Sequence, residues 1–187
     1  RVNIEFPDLK EYKTLSVHKS FFGYINLDDE FFNTFKEDYP EFEKWFGKKS
    51  NETVYVSQLD NNICAFLYIK VEYENENYDD IEPIFPNKSR KLKIGTFKVT
   101  LNGFKLGERF LKIVFENAII QNVEEIYVTI FDKRDEQKRL ITLLEEWGFY
   151  YWGKKKSTGE LVYVRDFTPK FEKANLKISY SFISLKD

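Results

Sequence analysis

The second half of the sequence alternates between segments typical of strands and segments typical of helices. Strand-like segments are rich in β-branched and apolar residues, and the one that reads EIYVTIF has the composition of a strand buried on both faces. Helix-like segments place apolar side chains three and four residues apart. We predict strands over residues 92–101, 125–131, 149–152 and 160–167, and helices over residues 104–121 and 132–147. This alternation predicts a single α/β domain.

We predict three further strands and two short helices in the first half of the chain, and one more strand near its end. Pro40 separates the two helices, because proline breaks one helix and is tolerated in the first turn of the next. The prolines and polar residues of 74–90 predict a loop. We predict strands over residues 15–22, 53–59 and 64–73, helices on either side of Pro40, and a further alternating strand over residues 176–185.

Composition excludes several classes of protein. The 187 residues carry 29 Lys and Arg against 31 Asp and Glu, a near-neutral balance that argues against a dedicated nucleic-acid binder. One Cys and one His exclude an internal disulfide framework, a four-thiolate zinc site and a multi-histidine metal site. Without an apolar run of about 20 residues or a signal peptide, we expect a cytoplasmic protein with no membrane partner.

Three segments resemble the GCN5-related N-acetyltransferase (GNAT) family in the expected order. KIGTFKV (residues 93–99) is similar to the central strand of that family. LNGFKLGERFLK (residues 101–112) resembles its pyrophosphate loop and following helix. ITLLEEWGF (residues 141–149) resembles its late helix, which ends in Gly-Phe. The resemblance covers residues 50–167, and residues 31–46 fit the two early helices of the family by position.

The resemblance implies a fold and a co-substrate. The implied fold is α/β, an α+β three-layer arrangement with a mixed, mostly antiparallel sheet, splayed central strands and flanking helices. Acetyl-CoA would lie in the splayed gap, with its pyrophosphate at a helix N-terminus whose free N–H groups favour anions, and no metal is implied. The residues that the resemblance assigns to coenzyme A are Phe97, Lys98, Val99, Lys105, Leu106, Gly107, Glu108 and Arg109.

The pyrophosphate loop departs from the family pattern of Gln or Arg, two residues, Gly, one residue, and Gly or Ala. Asn102, Lys105 and Gly107 occupy the three defined positions, and only Gly107 matches. The Lys105 ammonium can bind phosphate in place of the backbone approach that a glycine allows. Alternatively, Gly103 and Gly107 serve a turn and a close contact between helix and sheet.

The catalytic side chains of the family are also missing. The family often has a Glu on the central strand and a Tyr in the late helix, whereas residues 92–101 contain no carboxylate and Leu144 stands in place of the Tyr. We predict Glu72 as the base and Tyr150 as the acid, because transfer to an amine needs both roles. The alternatives that remain open are Glu74, Glu82, Tyr127 and proton removal relayed by water.

The sequence therefore predicts a bacterial-like N-acetyltransferase that transfers an acetyl (acyl) group from acetyl-CoA to an amine by direct attack. The acceptor would be a small molecule or a protein, and the enzyme a monomer or homodimer. The alternative is a catalytically degenerate GNAT-fold module that binds protein or nucleic acid within a larger protein, and basic residues at 133–139 keep a nucleic-acid partner open.

We assign residues 1–167 to one domain and residues 168–187 to a tail, and Arg1 in a chain without Met predicts a fragment or processed form.

Overall fold

Eight strands form one mixed sheet in the described part of the chain. The computed structural model describes residues 15–73, 76–85, 90–103 and 105–167. The strands are β1 (His18–Phe21), β2 (Thr53–Leu59), β3 (Asn62–Glu72), β4 (Ile81–Glu82), β5 (Lys91–Val99), β6 (Glu125–Ile130), β7 (Tyr150–Lys155) and β8 (Leu161–Asp166). The helices are α1 (Asn33–Asp38), α2 (Phe42–Gly47), α3 (Leu106–Ile120) and α4 (Asp135–Glu146). The strand predicted over residues 176–185 lies outside the described residues.

The sheet confirms the predicted fold class. Its strand order is β1-β2-β3-β5-β6-β8-β7-β4, and the pairs are antiparallel except for β5 with β6. The prediction of a loop throughout residues 74–90 is wrong at Ile81–Glu82, which pairs with Lys155 and Lys154 of β7. Propensity could not reveal so short a strand, because it forms through a distant partner and is secured by the burial of Tyr78, Ile81 and Phe85.

Helices and the segment that carries β4 cover the two faces of the sheet. Side chains alternate along β3, so that Ala65 and Leu67 join the core beneath α3 and α4. Phe66 and Tyr68 join an aromatic core beneath α1 and α2. Beside that second core, the segment around β4 packs on Tyr127 and its neighbours in β8. The second face is therefore covered in two places, which leaves room between them.

Asp29 fixes where the chain enters the early helices. Its side chain accepts a hydrogen bond from the backbone N–H of Phe31 at 2.9 Å, which caps a short 3₁₀ turn that leads into α1. The same carboxylate accepts from the N–H of Ile63 at 3.0 Å, at the start of β3. Asp29 therefore both caps this turn and attaches it to the sheet.

The two central strands separate after four paired residues. The parallel register joins Lys91–Ile94 to Glu125–Val128 and then stops. At that point β5 contains one extra residue, Gly95, because Tyr68 of β3 pairs with Thr96 while the next residue pairs with Ile94. A Cβ at Gly95 would lie 2.7 Å from Cδ1 of Tyr68, so the bulge requires glycine. Beyond it, β5 follows β3 and diverges from β6.

We predict that a buried ion pair holds the closed end of these strands together. Lys91 is fully buried and its ammonium contacts the Glu125 carboxylate on the neighbouring strand. Glu125→Gln should lower the free energy of unfolding by about 3 kcal/mol, the lower end for breaking a buried pair, because Glu124 and Asp166 also lie near the lysine. Urea denaturation measures this change. Glu146→Gln, at an exposed position on α4, is the control, and an equal loss in both variants would contradict the assignment.

Candidate active site

A cavity of about 480 Å³ occupies the gap between the diverging strands. One wall is the part of β5 beyond the bulge, from Gly95 to Val99, and the facing wall runs from Val128 to Phe131. Tyr39 and Trp45 reach the cavity from the early helices, while Leu140 reaches it from α4 on the opposite face of the sheet. Because side chains from both faces line it, the cavity passes between the two strands through the plane of the sheet.

Glu160 is a buried carboxylate on the β6 side of this cavity. It is 3% exposed and accepts hydrogen bonds from the hydroxyls of Tyr39 at 2.6 Å, Thr129 at 3.1 Å and Thr158 at 2.8 Å. The Lys155 ammonium lies 3.4 Å away. Burial and the adjacent Glu160 charge raise the pKa of Tyr39, which therefore remains a neutral donor. The Tyr39 hydroxyl thus connects the early helices to the far side of the gap.

Glu72 is a second buried carboxylate in the cavity wall. It accepts hydrogen bonds from the phenols of Tyr78 and Tyr127. The ammonium groups of Lys70 and Lys93 lie 3.6 and 3.7 Å from it. Burial, followed by the Glu72 charge, raises the pKa of both tyrosines. The sequence-predicted base is therefore in the cavity wall and in a network of donors.

A cluster of charged residues joins α1 to α4 at the other end of the cavity. Asp38 is nearly buried and its carboxylate contacts the Arg134 guanidinium, which also lies 2.9 Å from Glu37. The N–H groups of Lys133 and Arg134 both donate to the side-chain oxygen of Gln137 at 3.0 Å, which caps α4. The hydrogen bond to Asp38 raises the pKa of Arg134. These contacts hold the first turn of α4 against the early helices.

The predicted contacts with coenzyme A fall into two groups. Phe97, Lys98 and Val99 line the cavity, as a central strand would require. The five predicted residues around the α3 N-terminus are not among the residues that line it, and they are Lys105, Leu106, Gly107, Glu108 and Arg109. Lys105 is exposed and has a left-handed backbone, with φ 52° and ψ 28°, immediately before α3. The Arg109 guanidinium donates to the carbonyl of Leu15 at 2.6 Å, so its visible contact is within the chain.

Gly107 permits a close contact between α3 and α4. A Cβ at this position would lie 2.5 Å from Cδ2 of Leu143, so the absence of a side chain lets the two helices approach. This contact accounts for the glycine without phosphate binding. The two roles are compatible, and the assignment of Gly107 to coenzyme A stays a prediction.

The remaining acid and base candidates lie in different places. Tyr150, the predicted acid, is on β7, is 41% exposed and is not among the residues that line the cavity, so its role stays a prediction. Tyr127 is buried and donates to Glu72. Glu82 is exposed on β4, and Glu74 lies outside the described residues.

Several solved structures with a similar fold are described as acetyltransferases. A GNAT family acetyltransferase from Elizabethkingia anophelis with acetyl-CoA bound is 13% identical, with a TM-score of 0.53 over 83% of this chain and 99% of that one. The IAA acetyltransferase from Bacillus cereus is 10% identical, with a TM-score of 0.53 over 82% and 99% of the two chains. The PaiA N-acetyltransferase from Thermoplasma acidophilum in complex with coenzyme A is 9% identical, with a TM-score of 0.50 over 81% and 99%. A scan against protein-family models and a search of curated proteins gave no match.

The chain has the GNAT fold. This confirms the architecture expected from its three sequence segments. In the described residues, no helix is both long and apolar enough to cross a membrane.

Sequence reasoning missed two residues at the centre of this GNAT-fold cavity, Tyr39 and Glu160. The sequence predicts Glu160 only as the first residue of a strand, and it predicts a helix before Pro40 with no separate role for Tyr39. The sequence contains one signal for Glu160, because this carboxylate begins an apolar strand directly after Gly159. A carboxylate in such a strand is rarely buried without a partner. The partner is 121 residues away, and no local pattern identifies it.

We predict that Tyr39→Phe destabilises the GNAT fold by about 1–3 kcal/mol, the cost of removing a hydrogen bond to a buried charged group. The variant leaves Glu160 with one donor fewer and loosens the early helices from the far side of the cavity. Urea denaturation measures the change. Tyr24→Phe, at a position 83% exposed, is the matched control and should unfold like the wild type. Equal stability of both variants would show that the bridge contributes nothing.

Proposed function

We propose that this chain is an N-acetyltransferase that transfers an acetyl group from acetyl-CoA to an amine. The observation that carries the proposal is the cavity that passes through the sheet where β5 and β6 diverge. Within the described residues, β5 pairs with β6 only as far as Ile94, and an extended acyl arm can pair with the remaining edge as a strand would. Acetyl-CoA and coenzyme A are bound in two of the structures with this fold.

The N-terminus of α3 is where we expect the phosphates of coenzyme A to bind. The first N–H groups of a helix have no partner within the helix and bear a partial positive charge. Lys105 adds an exposed ammonium next to them. The reacting end of the acyl arm would then lie along Phe97, Lys98 and Val99.

The chemistry requires a neutral amine at the acyl carbon. An acceptor that arrives as an ammonium ion must lose one proton before its nitrogen can attack. Glu72 is the carboxylate that we assign to attract this cation and receive the proton, because it lies in the cavity wall and accepts hydrogen bonds there from two phenols. Glu160 holds Tyr39, Thr129 and Lys155 in position, which makes it a positioning residue. The acceptor is a small molecule or a protein with a free amine.

Two observations favour a non-catalytic alternative. Leu144, at the position of the family's late tyrosine, is fully buried in the core, and the middle glycine of the loop is replaced by Lys105. A module that has kept the fold and lost the reaction would show both features. Such a module would bind coenzyme A without turnover, or bind a macromolecule instead.

Titration calorimetry with acetyl-CoA and with coenzyme A tests the proposal. We expect binding of both, followed by release of free thiol when a panel of primary amines is added to the acetyl-CoA complex. Binding without thiol release from any amine would favour the non-catalytic module. Absence of binding at high micromolar ligand would contradict the proposal.

Lys105→Gly separates charge from backbone geometry at the loop. Glycine adopts the left-handed conformation of Lys105 without strain, so we expect stability to be unchanged or improved by up to about 1 kcal/mol. If the ammonium binds phosphate, affinity for coenzyme A should fall about tenfold, the loss of one charge-assisted hydrogen bond, and should depend less on salt. Calorimetry at two salt concentrations measures both effects. Unchanged affinity and salt dependence would exclude Lys105 from the phosphate site.

A further inference from the structure

Lys98 is a buried cation without an ion-pair partner in the described part of the chain. The residue is 9% exposed, and its ammonium donates to the carbonyl of Phe31 at 2.6 Å and to the hydroxyl of Thr34 at 2.8 Å. The nitrogen also lies 4.7 Å and 5.5 Å from the ring centres of Phe31 and Phe35. All of these contacts are with neutral groups.

Burial of the Lys98 ammonium in these neutral surroundings lowers the stability of the fold. Burying an ammonium ion without a carboxylate costs several kcal/mol, at most partly returned by neutral acceptors and aromatic faces. An ammonium has three N–H donors, and two of them are accounted for here. A residue buried at such a cost is a candidate for a function that needs the positive charge.

The position of Lys98 indicates what that function is. It lies three residues beyond the Gly95 bulge, on the part of β5 that has left β6. Its neighbour Phe97 packs against Phe110 of α3, whereas the Lys98 side chain points to the early helices and lines the cavity. In the proposed function, this wall faces the thioester.

We propose that the Lys98 ammonium is the proton donor to the thiolate that leaves during acetyl transfer. The proposal rests on the proposed function. Leu144, which replaces the tyrosine of the family, is an apolar side chain buried in the core and offers no proton. Lys98 provides a cation and a proton from the strand wall instead.

The step balances without a further reagent. The neutral amine nitrogen forms a bond to the acyl carbon, and the carbon–sulfur bond breaks with its electron pair passing to sulfur. A proton moves from Nζ of Lys98 to the sulfur and leaves a neutral lysine. The nitrogen of the new amide loses its extra proton to that lysine, directly or through water. Lys98 is thereby returned to its charged form.

The electrostatic surroundings of Lys98 support this role. Burial lowers the pKa of its ammonium, which brings it nearer to working pH, where a proton donor is most effective. Asp38 and Glu37 of α1 and Glu136 of α4 oppose this shift, and Arg134 at the start of α4 reinforces it. The charges of these four residues therefore also affect any pH dependence of activity that arises from Lys98.

The bound thiol provides a direct test in the wild-type protein. The ultraviolet absorbance of the thiolate is followed as the pH of the coenzyme A complex is raised, with free coenzyme A as reference. An adjacent buried ammonium should lower the pKa of the bound thiol by about one unit or more. A bound thiol that titrates like free coenzyme A would overturn the proposal while leaving coenzyme A binding intact.

Lys98→Met tests the same charge by substitution, with Lys19→Met on exposed β1 as the matched control. We expect Lys98→Met to melt no lower than the wild type, because a buried unpaired charge is removed, and to bind coenzyme A within threefold. Its kcat should fall at least about 100-fold, and its bound thiol should lose the pKa shift. Unchanged kcat would overturn the role of Lys98 alone. Failure of the wild type to bind coenzyme A would overturn the proposed function as well.

Discussion

The divergence of β5 from β6 is the constraint on which the rest of the structure depends. Two parallel strands pair for four residues, and a one-residue bulge at Gly95 then turns β5 away. Tyr68 leaves no room for a Cβ at that residue, so a single ring and a single glycine determine where the sheet opens. An open pair of central strands would normally expose backbone groups at a cost. In this fold those groups form the wall of the cavity.

Beyond the Gly95 bulge, polar contacts connect the two halves of the opened sheet in place of strand pairing. Tyr39 reaches Glu160, and Asp38 reaches Arg134, so that the early helices bridge from the β5 side to the β6 side. In both contacts a charged group has more than one hydrogen-bond or ion-pair partner. Several partners strengthen the contact and fix the orientation of the charged side chain. The cavity is therefore kept open by the sheet and kept aligned by the early helices.

Local patterns predicted the strands and helices other than β4, because alternation and helical spacing are properties of neighbouring residues. Gly148, the glycine of the Gly-Phe pair with which the family's late helix ends, follows α4 with φ +84°. The cavity could not be predicted in the same way. The pairing of Glu160 with Tyr39 and the burial of Lys98 depend on residues far apart in sequence, and Lys98 reads as an ordinary polar position in a strand. Gly107 resembles a phosphate-binding glycine, yet its visible contact is with Leu143.

Hydrogen exchange on β5, with and without acetyl-CoA, tests the central claim most directly. If the free edge of this strand receives the acyl arm, amides between Thr96 and Val99 should exchange markedly more slowly at saturating acetyl-CoA. Those of the paired part, Lys91–Ile94, should change little because β6 already protects them. Slower exchange confined to other parts of the chain, with none beyond the Gly95 bulge, would contradict the account.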